Sequence, residues 1–338
     1  MTEDEAFAEI KQLRTAGRFA EAVEKGYQHL HSFPKSYKVK GALSWAVYSA
    51  KVKDFKVAGT QSSALAAAVR EIRKLTEPNP YGNISAYVTA IHEAVTLLSE
   101  AGRHTTAIEL LGEIDSSKLM REESTFNSRR VPSQLERWYN DFSKELSAVQ
   151  DWTRLKRVCD DALKSGLYKS DSDKVWLRYR LALATVDSDP AGALELIDMV
   201  KKIKNESWLI RHRAKCLYNL GQHDQAEQEC RVALGGVNIR KPEFAIRILE
   251  DMFNYTEDEE AAIAMLQALR AIRIKNDWPV KAEYETSAKE LGCGPADDFK
   301  VEDTIKRFAD GQTFRSQKKD STGAAPRPEG QRKAPEKV

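Results

Sequence analysis

The segment spanning 205–235, NESWLIRHRAKCLYNLGQHDQAEQECRVALG, limits the folds open to this chain more than any other. Its first half sets Ile210, Ala214 and Leu217 along one side of a helix. Gly221 interrupts that helix, and a second begins at His223, with Ala226, Cys230 and Ala233 spaced i, i+4, i+7. Two short helices joined at a glycine form a hairpin. Neither half can hide its apolar stripe alone, so such a unit has to lean on a neighbour.

The rest of the chain supplies neighbours of the same kind. Residues 3–34 carry Ala6, Ile10 and Leu13 on one stripe, a break at Ala16-Gly17, and Phe19, Ala22, Val23 and Leu30 on the next, closed by Pro34. Residues 37–77 repeat the pattern, with Val39, Leu43, Ala46, Val47 and Ala50 followed by Leu65, Val69, Ile72 and Leu75. Pro78 and Pro80 then block any continuation of the helix. In 84–115 the opening phrase returns: Leu13-Arg14-Thr15-Ala16-Gly17-Arg18 is echoed by Leu98-Ser99-Glu100-Ala101-Gly102-Arg103. Ala107, Leu111 and Ile114 then take the places of Ala22, Gly26 and His29.

Residues 116–132, SSKLMREESTFNSRRVP, lack a period and read as a long loop or a short irregular helix. Helical stretches resume at 133–149, 151–165, 173–187, 190–203, 206–220, 223–235, 242–255 and 258–274. Pro190 suits the first turn of its helix, where a missing N–H is harmless. Taking Leu155, Ala193, Ala226 and Ala262 as equivalent gives spacings of 38, 33 and 36 residues, a period that points to helical hairpins stacked in a row. Trp278-Pro279 opens a last helix to about Leu291, expected to act as a cap. Val301–Phe308 reads as one or two more helical turns. From Gly311 the chain reads as a disordered basic tail, with Arg315, Lys318, Lys319, Arg327, Arg332, Lys333 and Lys337 against Asp320, Glu329 and Glu336. The expected organisation is hairpins over 1–115, a connector at 116–132, hairpins and cap over 133–292, and helical turns followed by the tail over 293–338. The fold class is all-α: a right-handed α-solenoid of about seven hairpins.

A net charge of +2 argues against whole-molecule attraction to nucleic acid or membrane, and 41% hydrophobic residues suffice for burial. The four cysteines, Cys159, Cys216, Cys230 and Cys293, form no CxxC pair; they read as free thiols, buried in a reducing compartment. The N-terminus, MTEDEAFAEIKQL, is acidic and unlike a signal peptide, and no apolar run is long enough to span a bilayer. A soluble, cytoplasmic protein is expected.

The arrangement resembles tetratricopeptide repeats. Gly17, Phe19, Ala22 and Pro34 match in the first unit, and Ala214, Gly221, Ala226 and Ala233 in a later one. The resemblance covers roughly 3–275. It departs where Ile210 and Leu217 replace aromatics, where Cys230 replaces Phe, and where most terminal prolines are missing. More weakly, the stretch from LRTAGRFAEAV through FPKSYKVKGALSWAVYSAK is similar to bacterial repeat proteins of stress-response or phage-conflict gene neighbourhoods.

A row of hairpins exposes its first helices on one surface, where repeat proteins bind extended segments. The frame places Arg178, Arg211, Lys215, Asn219, Arg247 and Asn254 there as partner-binding residues. Guanidinium forks and amides suit carboxylates, although the lysine–asparagine pattern of the known C-terminal peptide clamp is not reproduced. As solvated charges on helix faces, the same residues need no function at all. His212 and Cys216 share a helix face at ligand spacing, with His223 and Cys230 nearby, but core thiols and turn histidines explain all four without zinc. Trp138, Trp152, Trp176, Trp208 and Trp278 lie near helix ends, where packing between repeats explains them more simply than base stacking. No GxxxxGK[ST], HExxH, GxSxG or GxGxxG occurs.

The expected function is therefore a non-catalytic scaffold that holds a protein partner's extended or acidic segment, with no cofactor and no metal. The alternative is a nucleic-acid-associated accessory factor in a bacterial stress or phage-defence system, acting through the basic tail and the groove.

Overall fold

The computed structural model describes residues 1–310 except 54, 56–60, 78, 83–84, 127, 205, 236–241 and 295–300. The basic tail of 311–338 lies outside the described residues, as does Pro78. Consecutive helices pair as α1 (Glu3–Thr15) with α2 (Phe19–Ser32), α3 (Tyr37–Lys51) with α4 (Ser62–Thr76), and α5 (Ala86–Glu100) with α6 (His104–Gly112). The series continues through α7 (Gln134–Ala148) with α8 (Trp152–Lys164) and α9 (Asp171–Thr185) with α10 (Pro190–Lys201), followed by α11 (Ser207–Asn219) and α12 (His223–Gly235). Then come α13 (Pro242–Tyr255), α14 (Glu259–Lys275), α15 (Ala282–Glu290) and α16 (Val301–Ala309). The chain is thus an all-α array of tetratricopeptide-like hairpins packed in sequence order.

The turns that follow α1, α5 and α11 explain the recurring glycine. At the end of α1, Gly17 takes φ +75°, and the Arg18 amide reaches back to the Leu13 carbonyl at 2.9 Å. Gly102 and Gly221 do the same, sending Arg103 N to Leu98 O (2.7 Å) and Gln222 N to Leu217 O (2.9 Å). A left-handed residue followed by that long backward bond caps the orphan carbonyls of the helix end. The α7–α8 turn has the same bond, Asp151 N to Leu146 O at 3.0 Å, but the left-handed residue is Gln150 at φ +59°.

The chain divides into two compact units, 1–226 and 227–338. In the first, α1, α3, α5 and α7 each touch the next first helix as well as their own partner, so the first helices from α1 to α9 form a continuous surface. The core follows them. One apolar cluster joins α1 to α3 around Ile10, Ala22 and Ala46; a long one runs from Leu43 to Leu181; a third links α9 to α11 around Val175, Ile197 and Leu209. There is no single centre. Of the four positions used to define the period, Leu155, Ala193 and Ala226 are buried; in α14 the buried position is Ala261, one residue earlier than expected.

Two expectations need correcting. Residues 116–132 are neither plain loop nor helix. After a 3-10 turn at Ser116–Lys118 comes an antiparallel ladder, β1 (Ser124–Phe126) against β2 (Arg129–Val131), with Thr125 opposite Arg130. Arg130 fixes it, its guanidinium meeting Glu123 and Glu136 at 2.5 Å each. The helix expected from Trp278 starts only at Ala282, because the Trp278 amide closes the α14 turn onto Arg273 O at 2.9 Å. In the second unit the helical turns read at 301–308 form α16, which packs on α14 and buries Ile305 and Phe308 alongside α15.

Among the described residues, no helix is long and apolar enough to cross a membrane. Cys159, Cys216 and Cys230 are buried and unbridged. Burial pushes the Cys159 thiol up to about 12 and the Cys216 thiol to about 11.

Candidate partner-binding surface

The face shared by α9 and α11 gathers aromatic rings between charged side chains. Trp176 and Tyr179 project from α9 one turn apart, and Trp208 and His212 do so from α11. The indoles of Trp176 and Trp208 stack at 5.8 Å between centroids, 10° from parallel. Tyr179 meets Trp208 edge-on at 4.6 Å and His212 at 5.4 Å. Lys204 holds its ammonium 5.2 Å from the Trp176 centroid, a cation–π distance. Trp176 nevertheless remains 44% exposed. Burial of Tyr179 carries its hydroxyl up to about 12, against the opposing pull of Arg211 and Arg180. The result is an apolar shelf with charges of both signs at its edge, since Glu206 lies 3.9 Å from Lys204 and accepts the Trp208 indole N–H at 2.5 Å.

The structure places the six expected binding residues in different circumstances. Arg178 donates to Asp171 Oδ1 at 2.7 Å and is mostly covered, so it locks the first turn of its own helix. Asn219 donates to the Val186 carbonyl at 2.9 Å and to Asp187 Oδ1 at 3.2 Å. Lys215 lies 3.3 Å from that same oxygen. Asp187 thus draws Lys215 and Asn219 together and ties α11 to the end of α9. Arg211 flanks Tyr179 closely enough to act on its titration. Arg247 and Asn254 are exposed on α13, in the other compact unit.

The residues weighed for zinc have other surroundings. Cys216 belongs to the core beside Ala193 and Ile197, His223 stacks on Tyr218 at 4.7 Å, and His212 lies against Tyr179. Among the described residues, no group of three or more His, Cys, Asp or Glu is placed to hold a metal ion. Of the tryptophans, Trp138 behaves as packing predicts, buried with its indole N–H on Leu111 O at 3.0 Å, across from one hairpin to the next. Trp176 and Trp152 stay exposed.

Sequence reasoning missed two polar arrangements on the first-helix row. His92 of α5 is 2% exposed, with Nδ1 2.6 Å from Asp141 Oδ2 of α7. Beside it, Arg180 of α9 is deeply covered and donates to Ser143 Oγ at 2.9 Å and Asn140 O at 3.3 Å; burial lowers its pKa below the usual guanidinium value. Glu145, on the same helix as Asp141, takes His104 Nδ1 at 2.7 Å on one oxygen, and its other oxygen has no hydrogen-bond partner. These pairs join residues 41 and 49 positions apart in the chain, which no periodicity within one helix signals.

No family model matches this sequence, and no curated protein matches it. Among solved structures, a chain from the complex of the TPR2AB domain of yeast Sti1 with pHSP90 aligns with 91% of this chain and 98% of its own length. The identity is 15% and the TM-score 0.28, a likeness too loose to bear on function.

Proposed function

We propose that this protein is a non-catalytic scaffold whose first-helix surface holds an extended acidic segment of a protein partner. The observation that carries this reading is the Trp176–Trp208 stack between α9 and α11, in which Trp176 is exposed and Trp208 half-buried, with Arg211 and Lys215 on the same helix as Trp208. A half-exposed aromatic pair beside cations offers area at low entropic cost together with attraction for carboxylates. Of the six basic and amide residues, Arg211 and Lys215 are assigned direct contact. Arg178 and Asn219 support the surface through Asp171 and the Asp187 turn, and Arg247 and Asn254, in the other compact unit, are not assigned to it. The buried thiols agree with a reducing, cytoplasmic setting.

Affinity capture with the full chain, compared with Trp176→Ala and Arg211→Glu, tests the proposal. The expected result is a protein recovered by the parent chain and lost with either variant. Equal recovery by all three would remove the surface from consideration.

A second reading takes the same shelf as a stacking platform for single-stranded nucleic acid, assisted by the tail of 311–338, in the manner of an accessory factor for stress or phage defence. It rests on Lys204 over the exposed Trp176. Binding of an oligonucleotide that weakens steeply with salt, and is lost in Trp176→Ala, would select it over the first.

A further inference from the structure

A cavity of about 430 Å³ opens between α5, α7 and the β1–β2 hairpin, with no residue of the aromatic shelf in its lining. That volume lies in the range of small-molecule sites. His92 lines it, with Nδ1 engaged by Asp141, so Nε2 is the one polar atom of a buried ring that has no partner among the described residues. A carboxylate on Nδ1 holds the proton there and presents Nε2 as an acceptor. Arg137 also lines the cavity, and its guanidinium makes no hydrogen bond or ion pair among the described residues. Glu122 lines it with its carboxylate equally unengaged. Its neighbour Glu123 is different, bound by Arg130 at 2.5 Å and Lys169 at 2.7 Å and held below the usual carboxylate range by them. Val88, Met120, Val131 and Pro132 give the wall an apolar patch, beside the smaller polar groups of Ser85, Thr89, Ser124, Ser133 and Gln134.

One free fork donor, two free acceptors and an aliphatic wall describe a ligand with an anionic end, an ammonium end and an apolar body. We propose that this cavity binds a free aliphatic α-amino acid. Its carboxylate meets the Arg137 guanidinium, which can bond both oxygens; its ammonium donates to His92 Nε2 and Glu122; its side chain packs on Val88, Met120 and Val131. The site is independent of the partner-binding reading, since none of its residues lies on the α9–α11 face.

Calorimetric titration of the full chain with L-leucine, 4-methylpentanoate and 3-methylbutylamine tests this directly. The two analogues lack the ammonium and the carboxylate respectively. Expected is saturable binding of L-leucine, with each analogue weaker by more than about ten-fold, because a missing group leaves a site dipole unpaired. Arg137→Gln, an exposed change that leaves the helical spectrum intact, is expected to weaken L-leucine by about ten-fold or more. The inference is overturned if L-leucine, L-valine and L-methionine all fail to bind, if either analogue binds as well as L-leucine, or if Arg137→Gln changes nothing. A peptide ending in leucine that binds more tightly than the free amino acid also overturns it, in favour of a pocket for a chain end.

Discussion

At the scale of single residues, the burial pattern decides chemistry as well as stability. Cys159, Cys216 and Cys230 sit in the core with no disulfide, and burial holds the first two as neutral thiols well beyond neutral pH. Cys293 is only partly covered. Thiol titration with Ellman's reagent is therefore expected to modify Cys293 alone in the native protein, and all four after unfolding in guanidinium. Rapid native reaction at Cys159 would contradict the packing described. These thiols were legible from the sequence, because Cys159 and Cys230 fall on apolar stripes and helix periodicity shows which side turns inward. His92, Asp141, His104 and Glu145 were not. Their partners come from different hairpins, and only the stacking of α5, α6 and α7 brings them together.

At the scale of elements, the glycine-marked turns were readable, and one exception yields a prediction. Gln150 takes a left-handed conformation that its neighbours in the same structural role give to Gly17, Gly102 and Gly221. Holding a residue with a Cβ there is costly, so Gln150→Gly is expected to raise stability by roughly 0.5–1 kcal/mol in urea unfolding, net of glycine's greater freedom when unfolded. The β1–β2 hairpin was not readable, since its six paired residues are too few to show alternation and its register depends on Arg130. That side chain joins Glu123 and Glu136 and lies 3.9 Å from Asp173, linking the hairpin to α7 and to the start of α9. Arg130→Ala leaves the buried Glu136 carboxylate short of a partner, at a cost of about 1–3 kcal/mol. Hydrogen exchange should then quicken at 124–131 while the α1–α4 amides keep their protection. The Asp173 carboxyl is held below its ordinary range by Ser170, with Arg130 adding to it. A depressed carboxylate stabilises the fold above its unfolded pKa and loses that contribution as pH falls through the folded value. The start of α9 should accordingly loosen only below about pH 4.

At the scale of the whole molecule, stability is distributed along the chain rather than held at a centre, because each hairpin buries its stripe on the next. The first unit shows this in its three successive clusters. Gly26 of α2 tests the consequence. A Cβ there would come within 2.6 Å of Leu43 Cδ1 and 3.3 Å of Leu43 Cβ, so rotating the leucine cannot clear it. Gly26→Ala is expected to cost about 1–3 kcal/mol despite alanine's better helix propensity. Exchange should accelerate in α1–α4 and stay unchanged in α14–α16. A uniform loss across the chain would mean one cooperative core, contrary to the arrangement seen.

The repeat pattern made the array of hairpins legible, but the function depends on what the first helices present, and there the exposed shelf around Trp176 is the central claim. The most direct test replaces Tyr179 by a photo-crosslinking phenylalanine analogue in the full chain, with a matched control at the exposed Arg157 of the second helix α8. The account predicts a crosslink from position 179 alone, mapping by mass spectrometry to an acidic, extended segment of one protein. Crosslinks to nucleic acid, or equal yields from both positions, would contradict it.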